Sequence, residues 1–373
     1  MQIDRRYRGR RKRSPWPIIT LVFILVAGAY LLATRTRFFE NPFRPLEPTA
    51  TPTRSAISYL AEADDNYAAG RFIDASAAYA MVSQLEPDNA EVLNRQAWLM
   101  ILRSRPERAI PLAEEAVRLD PSAENLAVLA MAQDWVGDYD TAIKTALEAV
   151  EADPLSAVAR SILAEVYADK NNWTRSLEEA TKAVDLDPNS AVAQRNLGYV
   201  MERQGRYQAA LDKYALAAEL DPRLGYIYIS AGNTYLALGD IESARDQYET
   251  AMRVNPDSPG GYDMAGHASA LAGDPDRAIS TLEKAIAIDP EYGMAYAHLG
   301  RVYYTRLNWE EAIVQLSKAM ELGVVSEEYY YYLGLSYAYT DDCANAVIWL
   351  ERALELNPGS APAQEGIRRC TRG

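Results

Sequence analysis

Side chains that carry chemistry are scarce in this sequence. Two cysteines, Cys343 and Cys370, and two histidines, His267 and His298, are all it has of either type. No C-x-x-C pair occurs, which excludes zinc ribbons and dithiol redox sites. The histidines have no third ligand in view, so they do not make a metal site. A Walker loop, H-E-x-x-H, G-x-S-x-G and the dinucleotide-binding glycine pattern are all missing. Acidic pairs such as Glu178-Glu179 read as solvent-facing helix residues, and no pair offers the geometry of acid–base work. The expectation is a non-enzyme with no cofactor. Phe is also sparse at 5, against 25 Tyr, which suits a helical protein with many half-buried aromatic positions.

Apolar residues are plentiful at 49%, with 24% charged, so the chain can bury a large core. The net charge of −14 is unevenly placed. Residues 1–37 carry nine Lys/Arg against Asp4, a local +8, which leaves −22 for the rest. A surface this acidic repels phosphate backbones and argues against nucleic-acid binding. It reads as a solvated helical surface or, more sharply, as an attractor of basic partner segments.

Trp16 to Thr34 runs 19 residues without a charge. As a helix this is roughly 28 Å long, close to a ~30 Å hydrocarbon core. Trp16 and Tyr30 sit near its ends, as interfacial aromatics do. The expectation is a transmembrane helix over 16–34, inserted in the lipid bilayer of the cell membrane. Seven Lys/Arg in 1–15 against three in 35–49 make 1–15 a basic cytoplasmic tail and send the remainder outside. A cleaved signal peptide ending near Ala27-Gly28-Ala29 is the alternative, although Tyr30-Leu31-Leu32-Ala33 continues the apolar run past that site. Residues 35–55 read as a Pro/Thr-rich linker, stiffened by Pro42, Pro45, Pro48 and Pro52.

Beyond the linker the sequence repeats. Prolines stand at 87, 121, 154, 188, 222, 256, 290 and 358; successive gaps are 34 or 33 until the last, 68, where Val324 holds the missing beat. Counting back gives nine repeats over 56–359, starting at 56, 90, 123, 157, 191, 225, 259, 293 and 327, with a capping helix and tail over 360–373. The eighth place is always small, from Ala63 to Gly334, and the twentieth is Ala or Ser, so that paired helices can cross closely. Large residues fill places four, seven, eleven and twenty-four, as in Tyr296, Leu299, Tyr303 and Leu316. Asn66, Gln96 and Gln133 depart from that rule. Gly70, Gly137, Gly205, Gly239 and Gly273 mark the mid-repeat turn.

Tyr296-Ala-His-Leu299-Gly300-Arg-Val-Tyr303 and Gly205-Arg-Tyr-Gln-Ala-Ala210 resemble the tetratricopeptide-repeat (TPR) pattern W-x2-L-G-x2-Y, A-x3-F, P. The resemblance implies an all-α solenoid, a right-handed superhelix of helix-turn-helix repeats whose first helices line a concave groove for a protein or peptide partner. Carried onto this sequence, the groove places hold Trp98, Trp135, Arg195, Tyr199, Arg203, Tyr226, Ile229, Asn233, His267, Arg301, Tyr304, Tyr331 and Tyr339. Tyr and Arg are side chains that often carry binding energy. The family's carboxylate clamp is not repeated here: Arg195 and Asn233 stand alone.

Tyr329 to Tyr332 are consecutive and span most of a helix circumference, so one buried face cannot take all four. Tyr330 takes the core place, and the C-terminal end is expected to be a contact site. Self-association there is also open. Cys343 and Cys370 flank a turn near 356, so antiparallel packing brings them toward one end of a cap. A disulfide and two free thiols both remain open. Taken together, the sequence suggests a membrane-anchored, extracytoplasmic scaffold in an assembly, secretion or biogenesis complex. An accessory role in glycan export and a cytosol-facing import-type receptor are the alternatives.

Overall fold

The computed structural model describes residues 16–39 and 54–372, and it divides into one unit up to Arg54 and a second from Ser55 onward. In the first, α1 runs Trp16–Phe39 and carries exposed apolar side chains such as Phe23, Ile24 and Leu25. The helix therefore continues past residue 34 and takes 35–39 from the expected linker. Among the described residues no helix is long and apolar enough to cross a membrane, so the expected span at 16–34 gains no support there. The basic tail (1–15) and the linker prolines lie outside the described residues.

The second unit is helical hairpins throughout. The pairs are α2 (Ala56–Ala68) with α3 (Phe72–Leu85), α4 (Ala90–Leu102) with α5 (Pro106–Leu119), and α6 (Ala123–Trp135) with α7 (Tyr139–Ala152). Next come α8 (Ala157–Asp169) with α9 (Trp173–Leu186), α10 (Ala191–Arg203) with α11 (Tyr207–Leu220), and α12 (Gly225–Ala237) with α13 (Ile241–Val254). The last are α14 (Pro259–Leu271) with α15 (Pro275–Ile288), α16 (Gly293–Thr305) with α17 (Trp309–Glu321), and α18 (Glu327–Tyr339) with α19 (Cys343–Leu356), closed by α20 (Ala361–Arg372).

Local chemistry sets these boundaries. Ser122, Ser156 and Ser190 cap first helices, each accepting from the third amide of its helix. Asp138, Asn172, Asp240 and Asp342 do the same for second helices. The Asp-Pro or Asn-Pro that ends a repeat does two jobs. Proline stops the helix, and the Asp or Asn side chain accepts the amide two residues on, as in Leu155 to Asp153 at 2.9 Å and Glu291 to Asp289 at 3.0 Å. Each mid-repeat turn holds a left-handed residue. Where glycine is absent, Ser104, Asn171, Leu307 and Asp341 adopt it, with φ near +60°.

Packing within a hairpin joins place eight to place twenty-four. A Cβ on Gly334 would lie 2.6 Å from Leu350 Cγ, and Gly198, Gly232, Gly266 and Gly300 meet Tyr214, Tyr248, Leu282 and Leu316 in the same way. In repeats two to four both places are alanine: Ala97 with Ala113, Ala130 with Ala146, Ala164 with Ala180, all fully buried. First helices neighbour first helices of adjoining repeats, whereas second helices do not neighbour one another, so the first helices form the inner wall. The three polar departures are buried. Asn66 accepts from Arg71 and Gln96 from Ser83, both at 2.9 Å, while Gln133 Oε1 is left without a partner.

Candidate partner-binding surface

The inner wall behaves differently along its length. In repeats two to six the inward side chains meet one another. Arg195 on α10 is only 6% exposed: its guanidinium donates to Glu165 at 2.5 Å and to Ser230 at 3.2 Å, and lies over the rings of Tyr199 and Tyr226 at 5.0 and 5.3 Å. Trp135 donates to the same Glu165 oxygen at 3.4 Å and sets its ring edge-on to Tyr226. Tyr199 donates to Asp169 at 2.5 Å. Trp98 donates to Tyr67 at 3.2 Å, and Arg223 lies over that tyrosine's ring.

The sequence pattern thus brings Trp98, Trp135, Arg195, Tyr199 and Tyr226 together, but as an interior. The expectation of an open groove here is corrected: Arg195 and Tyr226 are buried because the first two repeats lean on the fifth and sixth. Three carboxyls escaped the sequence reading, namely Asp134, Glu165 and Asp169. Burial, reinforced by Glu165, holds the Asp134 carboxyl well above the usual carboxylate range. Asp169 is also raised by burial, although the Tyr199 hydroxyl works against it. Asp134 Oδ1 and Glu165 Oε2 have no hydrogen-bond partner. A signal for these residues existed, because Asp134 and Glu165 occupy groove places twelve and nine, facing the place-five Arg195.

The other candidates scatter. Arg203 is exposed; Ile229 is half-buried beside the core of the sixth and seventh repeats. Asn233 is exposed and accepts from Tyr248 at 2.7 Å. His267 lies tilted against His298 with centroids 4.3 Å apart, and His298 Nδ1 lies 2.7 Å from the buried Asp263. Burial, then the neighbouring His298 and Arg301, push the His267 imidazole down to about 3. Among the described residues no three potential ligands converge on a metal position.

Repeats eight and nine leave their inner aromatics only half-buried. Tyr304 lies 4.6 Å from Tyr332, 5.1 Å from Trp309 and 6.5 Å from Tyr339 between ring centroids, and Trp309 stacks on Tyr339 at 4.5 Å. Tyr331 abuts Tyr332, and Arg369 of α20 lies over Tyr339. Tyr339 is 39% exposed. Burial pushes the Tyr304 hydroxyl up to about 12. Arg301 lies 3.7 Å from Glu328 in the first turn of α18. The deepest of the four consecutive tyrosines is Tyr329, not Tyr330, because Tyr329 turns toward His298 while Tyr330 packs beside Trp349. Trp309 went unnoticed because it opens a second helix, outside the groove places. Cys343 and Cys370 are bonded, with Cα atoms 5.3 Å apart, and join α19 to α20.

Comparison with known proteins gives one consistent result. Models of the tetratricopeptide repeat match residues 60–124, 128–191, 163–224 and 229–292, and further such models match 270–333 and 327–360. Among solved structures, the chain resembles one in the APC/C hetero-tetramer Cut9-Hcn1 at 18% identity and a TM-score of 0.63, covering 80% of this chain and 59% of that one. It therefore spans less than two thirds of that chain's length. The human IFIT1 dimer with m7Gppp-AAAA is similar at 16% identity and a TM-score of 0.55, covering 85% and 80%. At these identities the likeness shows the fold alone. No curated protein matches the sequence.

Proposed function

Because the chain belongs to the tetratricopeptide-repeat family, we propose that it is a non-catalytic scaffold whose protein or peptide partner seats on the inner face of repeats eight and nine. The observation that carries this reading is the cluster of half-buried Tyr304, Trp309 and Tyr332 around the exposed Tyr339. Rigid aromatics anchor interfaces at small entropic cost, and Tyr339 stays exposed where Tyr226 is buried. Glu328, one helical turn before Tyr332, favours a partner carrying Lys or Arg.

The scaffold is anchored in the cell membrane through residues 16–34, with the repeats outside the cytoplasm, in an assembly, secretion or biogenesis complex. Support comes from the uncharged run, the apolar side chains exposed along α1 and the excess of Lys/Arg before it. Glycan export is the second reading, favoured by the Trp309–Tyr339 platform, since sugars stack on aromatic faces. A cytosol-facing receptor would instead leave the repeats protease-accessible from inside.

The test is capture by crosslinking from membranes holding the full chain. A Tyr304→Ala/Tyr339→Ala variant should lose captured protein by about tenfold or more, whereas Arg203→Ala should not. Undiminished capture with unchanged circular dichroism would remove this face from the proposal, and recovery of polymer instead of protein would favour the glycan reading.

A further inference from the structure

The contact that fills the interior has a rim of its own. The mid-repeat turns of the first two repeats sit on the junctions that follow repeats six and seven. The Ile73 amide donates to Asp257 at 2.6 Å, and the Ser258 hydroxyl donates to the Leu102 carbonyl at 3.4 Å. Arg105 pairs with Asp289, and Arg108 with Glu291. Partners in three of these contacts are 184, 184 and 183 residues apart, so one turn of the solenoid meets the next in constant register. Gly70 belongs to the same seam: a Cβ there would lie 3.0 Å from the Val254 carbonyl oxygen.

At its rim this seam sets a row of arginines, Arg103, Arg105 and Arg108, against a row of acids, Asp257, Asp289 and Glu291, and behind the rim the contact is apolar. Arg103 faces Asp257 and Asp289 without closing a full set of bonds, since Arg103 Nε and Asp257 Oδ1 are buried without partners. Beyond Arg108 and Glu291 the seam parts into a cleft of about 700 Å³, walled by Glu107, Met294, Val325 and Glu328 among others. The next beat of the register, the turn at Gly137 against the junction at Gly323, is not made: added Cβ atoms at both would meet nothing.

We propose that this seam is a releasable latch, an autoinhibitory contact that closes the solenoid on itself and covers the inner aromatic and arginine surface of repeats two to six. Exposed ion pairs such as Arg108–Glu291 are weak and salt-screened, whereas Trp98, Trp135, Arg195 and Tyr226 are the kinds of side chain that bind partners. An opening shared as small rotations among repeats three to five parts the apolar cluster that Leu99 and Leu102 share with Leu224 and Ile227, while the place-eight to place-twenty-four crossing of each hairpin stays within its own repeat.

The test uses the full chain with spin labels at Glu107→Cys and Val325→Cys, both exposed and both lining the cleft. Arg105→Glu/Arg108→Glu should lengthen the label distance by about 10 Å, a helix width, with helical circular dichroism retained. Adding Asp289→Arg/Glu291→Arg should restore the short distance. Should the double reversal unfold the chain, Arg108→Glu alone, on the exposed rim, gives the same reading through a second population at long distance. An unchanged distance in a folded variant, or a charge swap that fails to restore it, would overturn the latch. No partner enters the measurement, so it stands or falls apart from the binding face proposed for repeats eight and nine.

Discussion

Repeats two to four and repeats seven to nine share one hairpin pattern and use their inner faces in opposite ways. In the first set the eighth and twenty-fourth places are both alanine, and α6 is buried almost from end to end. In the second, glycine faces leucine at those places, and the inner side chains of α16 and α18 remain partly open. The difference teaches that the hairpin core is set by a few repeated places, while the residues between them decide whether the wall becomes interior or surface.

The largest effect that separates the two regions should come from the buried ion pair. Glu165→Ala leaves the Arg195 guanidinium, 6% exposed, without its carboxylate. Stranding a buried charge costs about 3–5 kcal/mol. Hydrogen exchange in α8, α10 and α12 should speed accordingly, while α18 and α19 keep their protection. Uniform acceleration across all repeats would show that the two regions unfold as one.

Next in size is the close crossing in the last repeat. Gly334→Ala drives a methyl to 2.6 Å from Leu350 Cγ, and overpacking of this kind costs about 1–3 kcal/mol in urea unfolding. The converse change in the first region, Ala130→Gly, adds no clash; it costs about 1 kcal/mol through helix propensity and a small void. A Gly334→Ala protein as stable as the parent would show that Leu350 can move aside.

The regions should also answer pH with opposite signs. Asp134 is held neutral by burial, so its folded pKa lies above the ~3.9 of an unfolded Asp. Its contribution is intact below that value and is lost as pH rises toward the folded pKa. Asp134→Asn should therefore stabilise at pH 7 by about 1–3 kcal/mol, with the gain shrinking toward pH 4. His267 is depressed to about 3, so its contribution is present above the ~6.5 of an unfolded His and is lost as pH falls through that window. His267→Gln should flatten the acid limb by about 1–2 kcal/mol between pH 6 and 4. Parallel shifts of the two variants with pH would contradict the assignment.

The hairpins were legible because their signals are local. Asp-Pro closes a helix through one ring and one side-chain acceptor, and the left-handed turn recurs whether Gly70 or Leu307 fills it. The interior was not legible for the opposite reason. Arg105 and Asp289 are brought together by the accumulated pitch of several repeats, a quantity no single repeat encodes. Groove places gave Arg195 and Tyr226 the right direction, toward the axis, without telling that the axis is filled. The choice of Tyr329 over Tyr330 as the buried ring rests on the neighbouring His298, likewise a contact between repeats.

The smallest effect sharpens the contrast most cleanly. Arg301 and Arg195 both occupy the inner wall, and each faces an acid from a neighbouring repeat. Arg301 reaches Glu328 only at 3.7 Å, with that carboxylate side chain 41% exposed, whereas Arg195 and Glu165 are sealed at 2.5 Å. Water screens the first pair, so Glu328→Gln should shift stability by less than about 1 kcal/mol, and 0.5 M salt should erase the shift. A loss approaching that of Glu165→Ala would mean that the wall of repeats eight and nine is interior too, and the surface proposed for a partner would then be closed.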